Sequence, residues 1–202
     1  MIVRRLAIYL RCLQERSQDD DDFISSVQLS QLAGVTAAQV RKDLANFGQL
    51  GKQGVGYEVI RLRSKLASLL KADQVVSVAV IGVGELGTAL TRYLRRYPYM
   101  ELAHSFEVVA LFDLDPQKQG REVEGLLIED PESMAKVVQE RHVRIGVITV
   151  PRIAAQAAAE AALRAGITAF LNFAPVRLEL PPDTRVLNTD VLLELHQLAF
   201  SL

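Results

Sequence analysis

Cysteine is nearly absent: Cys12 is the only one among 202 residues. An intrachain disulfide and a cysteine zinc site are both excluded, no metal site is expected, and a reducing cytoplasm is the expected setting. Long apolar runs are missing too. No stretch approaches the roughly 18 uncharged apolar residues that span a bilayer. The opening MIVRRLAIYLRCLQ is broken by Arg4, Arg5 and Arg11 and precedes no small-residue cleavage site, so neither a signal peptide nor a membrane partner is expected. Histidine is scarce, with only His104, His142 and His196.

Against these absences stands a chain that is 50% hydrophobic and 23% charged, long enough for one large or two small packed domains. Its net charge of −1 hides an asymmetry. Residues 1–72 carry 11 basic and seven acidic side chains, an excess of +4, and four of those acids form the run Asp19–Asp22. Residues 73–202 carry 12 against 17, an excess of −5. A basic front on an acidic remainder hints at nucleic acid.

The strongest single signal is Val75–Leu90, VVSVAVIGVGELGTAL. A β-branched run ends in Gly82-x-Gly84-x-x-Gly87 and continues into helix formers, the pattern of a dinucleotide-binding βαβ unit. The first glycine permits the turn, the second lets backbone approach a pyrophosphate, and the third lets the helix pack on the strand. Val83, Glu85 and Leu86 complete the loop, and the helix N-terminus faces the anion.

The segment before it reads as a winged helix. Residues 2–16 place Val3, Leu6, Leu10 and Leu13 on one helical stripe, and Ser17–Phe23 reads as a solvated loop. Ser25-x-x-Gln28 and Thr36-x-x-Gln39 are capping-box patterns opening two short helices, with Gly34 between them. In the second helix Val40, Leu44 and Phe47 share one face, while Gln39, Arg41, Lys42 and Asn46 point elsewhere, as in a helix that reads DNA or in any solvated one. The glycine-rich hairpin Gly48–Gly56, leading to an alternating strand through Ile60, favours DNA. Lys52 and Tyr57 become phosphate-contact candidates, Ser26 and Thr36 join them at the helix starts, and a helix from Ser64 to about Lys71 closes the domain.

After the glycine loop, strands at Phe106–Phe112, Leu126–Ile128, Arg144–Val150 and Ile167–Leu171 alternate with helices at Thr88–Tyr97, 131–141 and 153–165. A parallel sheet with helices on both faces follows. Asp113, ending the second strand, accepts from the adenosine ribose and repels a 2′-phosphate, which favours NAD(H) over NADP(H). It lies 26 residues past Gly87, an excess that a longer loop over Pro98–Ser105 explains. Asp115 is either a second ribose contact or a turn residue before Pro116. Thr149, Val150 and Pro151, with Asn172, Phe173, Ala174 and Pro175, sit at carboxyl ends of strands and could wall a nicotinamide or simply begin loops. The terminal stretch Thr189–Leu202 is apolar around most of its circumference and must bury more than one face, in its own domain or against a second subunit.

A dehydrogenase needs a proton-handling residue and a place for its substrate. None of the three histidines falls at the carboxyl end of a strand, and no substrate domain remains. The cofactor reads as a signal, so the chain is not expected to be an enzyme.

The chain resembles the Rex family of redox-sensing transcriptional repressors. The resemblance rests on QVRKDLANFGQLGKQGVGYEV, GVGELGTAL, FDLDP, TVPRIAAQ, AGITAFLNFAPVRLELP and the terminal NTDVLLEL and LAF, which together cover nearly the whole chain. It implies an α/β protein: a winged helix-turn-helix domain (1–72), a Rossmann-like NAD(H)-binding domain (73–188) and a C-terminal dimerisation helix (189–202) exchanged between subunits. It further implies a homodimer on double-stranded operator DNA that NAD⁺ permits and NADH dissolves. Arg11, Tyr93 and Asp190 occupy the places of a family switch in which an Arg–Asp pair is traded for a Tyr–Asp hydrogen bond. Glu85 departs from the pattern and puts cofactor affinity in doubt, since it is a like charge near the pyrophosphate. The alternatives are a small NAD-dependent oxidoreductase and a DNA-binding sensor of another adenosine-containing ligand, such as coenzyme A or S-adenosylmethionine.

Overall fold

A computed structural model describes residues 2–15, 22–48, 50–52, 54–71, 74–96 and 106–200. Most of the acidic run (residues 19–21), the loop at 98–105 and the last two residues lie outside the described residues. Two compact units divide between Val75 and Val76.

The first unit runs α1 (Ile2–Gln14), β1 (Phe23–Ile24), α2 (Ser26–Ala33), α3 (Ala37–Ala45), β2 (Gly51–Lys52), β3 (Gly56–Glu58) and α4 (Val59–Leu69). Helix α1 buries Leu6, Tyr9, Leu10 and Leu13. Val3 is 55% exposed, so the apolar stripe is shifted by one contact from the expected one, with Tyr9 in place of Val3. Ser25 caps α2 with a reciprocal capping box, and Gly34 ends it in the left-handed region at φ 65°. Thr36 caps α3, but the Gln39 side chain turns to Asp43 instead of back to the cap. The expected second capping box is therefore only half made.

Three further expectations are corrected. Phe23, read as loop, pairs with Glu58 as part of β1, which adds a third strand to the wing sheet β1-β3-β2. Val59 and Ile60, read as strand, begin α4, five residues ahead of the expected start at Ser64. Leu62 and Leu66 are the buried face of that helix, and their helical spacing outweighs two β-branched residues at its start. Tyr57 belongs to the core cluster and is only 9% exposed.

The second unit runs β4 (Val76–Ile81), α5 (Glu85–Arg96), β5 (Phe106–Phe112), β6 (Glu122–Val123), β7 (Leu126–Glu129), a 3-10 turn at Pro131–Ser133, α6 (Met134–Glu140), β8 (Ile145–Ile148), α7 (Arg152–Arg164), β9 (Ala169–Asn172), β10 (Arg185–Asn188) and α8 (Val191–Phe200). The sheet order is β10-β9-β8-β4-β5-β7-β6, parallel except for the β6–β7 hairpin. The chain builds outward from β4 through β5 to β7, then crosses to β8 on the other side. The point of reversal lies at the carboxyl ends of β4 and β8, where open α/β sheets bind ligands.

Period-two alternation in β4 sends Ala79 and Ile81 to one core and Val78 and Val80 to the other. On the first side α7 presents Ala155, Ala159 and Ala162, each 0% exposed, and small side chains let the helix lie close to the sheet. Helix α5 covers the second side through Leu90 and Leu94. Strand β10 was not foreseen: Arg-Val-Leu-Asn at the sheet edge has no apolar run to announce it. Helix α8 buries no residue, with Leu192 and Leu193 about two-thirds exposed and Phe200 95% exposed.

Candidate dinucleotide cradle and recognition helix

The glycine loop joins β4 to α5. Gly82 has φ 97°, and a Cβ there would lie 2.6 Å from Val150 Cγ1 and 2.9 Å from Val150 N. The turn therefore needs glycine both for its conformation and for its fit against the loop after β8. A Cβ at Gly87 would collide with the Gly82 carbonyl and sit 2.9 Å from Thr149 Oγ1, so α5 packs on the turn with no room for a side chain. A Cβ at Gly84 would meet nothing within 4 Å. Two glycines are thus required by the protein itself, while the middle one borders open space, as expected where backbone must approach a ligand. Val83 is buried, and Glu85 and Leu86 are exposed at the start of α5.

Thr149 fastens this turn: its hydroxyl donates to the Gly82 carbonyl at 2.7 Å. Asp113 fastens it from the other side, accepting from Val83 N–H at 2.8 Å through Oδ2 and from Asp115 N–H at 2.9 Å through Oδ1. Lys118 Nζ lies 2.9 Å from the same Oδ2. Burial pushes the Asp113 carboxyl up, but the Asp115 N–H, the Lys118 ammonium and the Val83 N–H outweigh it and hold the group below its ordinary value. It is ionised at neutral pH.

Gly82, Asp113, Lys118, Thr149 and Val150 border a cavity of about 790 Å³ that also meets Gly84, Pro151 and a second row of α7 alanines, Ala154, Ala158 and Ala161. The volume, the apolar walls and the polar groups at one end suit a cofactor-sized ligand. A bound dinucleotide fits this donor set: an open glycine backbone and a helix N-terminus for phosphates, and an ionised carboxylate for ribose hydroxyls.

Not every expected residue joins the cavity. Asp115 borders it, but its Oδ1 accepts from Gln117 N–H at 2.9 Å, making it a turn residue. Asn172 is fully buried. Its amide donates to the carbonyls of Ala174 and Val176 and to Asn188 Oδ1, and its own Oδ1 accepts from Ala174 N–H. Asn172 is therefore spent on tying the 172–176 loop to β10, and Phe173, Ala174 and Pro175 are shaped by that loop outside the cavity. Lys118 went unnoticed in the sequence. Its signal was the compact stretch Asp113-x-Asp115-Pro116-x-Lys118, which folds one lysine back over the first acid.

In the first unit, Arg41 and Lys52 are exposed and border a cavity of about 540 Å³ between α3 and the wing. Arg41 Nη1 donates to Ser26 Oγ at 2.9 Å, and Thr36 Oγ1 accepts from Gln39 N–H at 3.2 Å. Lys42 is exposed; Asn46 is exposed and donates to the Lys42 carbonyl at 3.1 Å, closing the last turn of α3. The Tyr57 ring backs onto Gly51, where a Cβ would stand 2.9 Å away, so this residue shapes the wing by packing. Gln39 also faces inward. Its amide donates to Asp43 Oδ1 at 2.7 Å. Asp43, 2% exposed, further accepts from Arg5 Nε at 2.6 Å, Arg5 Nη2 at 2.8 Å and Tyr9 Oη at 2.9 Å.

Of the three residues expected to form a switch, Arg11 on α1 donates through Nε to Glu15 Oε1 at 2.9 Å. Tyr93 is about half-exposed on α5. Asp190 caps α8, its Oδ1 accepting from the N–H groups of Leu192 and Leu193 at 3.0 and 3.2 Å. Among the described residues no helix is long and apolar enough to cross a membrane.

Comparison with known proteins places both units. Residues 1–45 match the family model described as "Putative DNA-binding protein N-terminus", and residues 73–176 match the one described as "CoA binding domain". The redox-sensing transcriptional repressor Rex of Syntrophobacter fumaroxidans is 41% identical over 98% of this chain and 92% of its own. That of Thermus thermophilus is 42% identical over 99% and 92%. Among solved structures, RSP, a Rex-family repressor, superposes with a TM-score of 0.85 at 33% identity, over 99% of this chain and 92% of that one. RSP in complex with β-NAD⁺ and operator DNA superposes at 0.89 and 34% identity, covering 99% and 90%. Likeness at this level, across both units and nearly end to end, means that the chain belongs to the Rex family of redox-sensing transcriptional repressors.

Proposed function

We propose that this chain is a DNA-binding transcriptional repressor governed by the NADH/NAD⁺ ratio, occupying its operator in the NAD⁺ state and leaving it on binding NADH. The observation that carries the reading is family membership over nearly the full length, joined to a dinucleotide-type cradle and a winged helix in one chain. Residues 1–72 form the operator-binding domain, 73–188 the NAD(H)-binding domain and 189–202 the dimerisation helix. Arg41, Lys42, Asn46 and Lys52 are the DNA contacts, aided by Ser26 and Thr36. Gly82–Gly87, Asp113, Thr149, Val150 and Pro151 form the dinucleotide site. The role is regulatory rather than catalytic, in the cytoplasm.

The working unit is a homodimer. Helix α8 presents Val191, Leu192, Leu193, Leu195 and Phe200 to the outside, each at least 55% exposed. A terminal helix this apolar is stable only when covered, and exchange with the same helix of a second copy covers both. Asp190, which caps that helix, is the residue that trades an Arg11 partner for a Tyr93 partner as the dimer changes state.

Fluorescence anisotropy on a labelled two-fold operator tests the reading. Saturating NADH should lower operator affinity by at least about tenfold, and NAD⁺ should not, the differential binding that any ligand-driven shift requires. Equal operator affinity in both nucleotides would sink it. Coenzyme A serves as the control for a different adenosine ligand: a response to it and not to NADH reassigns the cradle. Asp190→Ala should give a dimer that still binds NADH but responds weakly to it, and a fully responsive variant removes Asp190 from the switch.

A further inference from the structure

An acid at the end of the second strand is ordinarily a lone negative charge, and its rejection of a 2′-phosphate needs no further explanation. Here the acid is not alone. The Lys118 ammonium sits 2.9 Å from Asp113 Oδ2, and both side chains border the cavity, 34% and 11% exposed. The lysine is not swinging in solvent, because the turn that presents it is built. Lys118 N–H donates to the Asp115 carbonyl at 2.9 Å, and Gln117 N–H donates to the Asp115 carboxylate. The Gln119 amide donates to the Asp113 carbonyl at 3.1 Å, and Gly120 N–H reaches the Ile128 carbonyl of β7 at 2.8 Å.

An adjacent cation cancels most of the repulsion a carboxylate alone would exert on a phosphate. What then excludes a 2′-phosphate is that the charge of the cation is already compensated by Asp113. The hydrogen-bond inventory agrees. A carboxylate offers about four acceptor sites, and Val83 N–H, Asp115 N–H and Lys118 fill three of them. One acceptor site remains beside an ammonium with two N–H bonds to spare. That is a match for a ribose with both hydroxyls free, one donating to Asp113 and one accepting from Lys118.

We propose that cofactor choice is set by the Asp113–Lys118 pair: Asp113 masks Lys118, and removing the carboxylate turns the same lysine into a 2′-phosphate site. This rests on the reading of the cradle as an NAD(H) site. Selectivity then resides in the pair, and a latent NADPH site lies one substitution away.

The test is titration of the full-length protein with NADH and with NADPH, read by nucleotide fluorescence or calorimetry. The proteins are wild type, Asp113→Ser, Lys118→Met and the double variant. Wild type should bind NADH and discriminate against NADPH. Lys118→Met should weaken NADH roughly five- to tenfold, the size of one charge-assisted hydrogen bond. Asp113→Ser should weaken NADH and strengthen NADPH by about tenfold, and the double variant should lose the NADPH gain. Asp113→Asn, which keeps side-chain oxygen for a backbone N–H, replaces Asp113→Ser if the latter does not fold. Unchanged NADPH affinity in the Asp113 variant, or an equal gain in the double variant, overturns the pair while leaving wild-type NADH binding intact. Wild type that binds neither nucleotide overturns this proposal together with the reading beneath it.

Discussion

At the scale of single residues, the most consequential one in the DNA-binding unit touches no DNA. Asp43 is a buried carboxylate with all four of its acceptor sites filled, by Arg5 twice, Tyr9 and Gln39. The Arg5 hydrogen bonds outweigh burial and, with those from Tyr9 and Gln39, pull its pKa down to about 2, while burial and the same carboxylate push Tyr9 up to about 12. Truncating such a group strands a half-buried cation and a buried hydroxyl. Asp43→Ala should therefore lower the unfolding free energy by about 3 kcal/mol in urea denaturation at neutral pH. The pH dependence has a definite sign. A folded pKa of about 2 against an ordinary value of 3.8 means that the unfolded chain takes up the proton first as pH falls. The stabilisation from Asp43 is complete above pH 3.8 and drains away towards pH 2, and Asp43→Asn should remove that part of the acid slope. An unaltered slope would assign acid sensitivity to other carboxylates. Lys42 is the opposite case, exposed and uninvolved in packing. Lys42→Ala should weaken operator binding evenly across sequences and reduce the salt slope by about one, with melting temperature and NADH affinity unchanged. Loss of NADH affinity as well would mean damage to the fold rather than a lost phosphate contact.

At the scale of elements, the three glycines of the β4–α5 turn serve different masters. Gly82 and Gly87 are constrained by the Val150 loop and by each other, and Gly84 by nothing among the described residues. Gly87→Ala should destabilise the second unit by about 2 kcal/mol, the scale of overpacking a tight contact. Gly84→Ala should leave the melting temperature nearly unchanged and weaken NADH binding, so comparing melts with titrations separates packing from cradle. This division of labour also explains what was legible in the sequence. Elements were readable where one strong periodicity met a clear stop, as in β4 with its glycine turn, or α2 with Ser25 at one end and Gly34 at the other. They were unreadable where two signals competed or none was present. Val59 and Ile60 carry strand propensity but open a helix whose buried face is Leu62 and Leu66. Strand β10 is a four-residue edge strand, recognisable only by its pairing with β9. The site divides the same way. The glycine loop and Asp113 are local patterns, whereas the inward turn of Gln39 depends on an arginine 34 residues earlier that already holds Asp43. Asn172 looked like a pocket wall because it ends a strand, and its four hydrogen bonds beneath the next loop have no sequence signature.

At the scale of the whole molecule, helix α8 is the element that a single chain leaves without a purpose. Its hydrogen-bonded cap at Asp190 shows that the helix is well started, and Leu192, Leu193, Leu195 and Phe200 are all more than half exposed. Each of these part-exposed leucines that passes into an interface contributes about 1–2 kcal/mol, so several from each copy supply a large share of the driving force for a dimer. In the proposed dimer, linkage raises DNA affinity: half-sites one helical turn apart bind two linked recognition helices far more tightly than two separate ones. The double variant Leu192→Glu/Leu195→Glu places charges on that face without touching the cradle or α3. Sedimentation should find it monomeric, and its affinity for a two-fold operator should fall about a hundredfold or more, the avidity that linkage provided. Its affinity for a single half-site should stay as it was, because the recognition helix is intact. NADH should still bind the monomer, but the nucleotide should no longer alter half-site affinity, since the quantity it controls is the match between two subunits. A monomer whose half-site affinity still responds to NADH would place the switch within one chain, and a dimer that survives both glutamates would place the interface elsewhere.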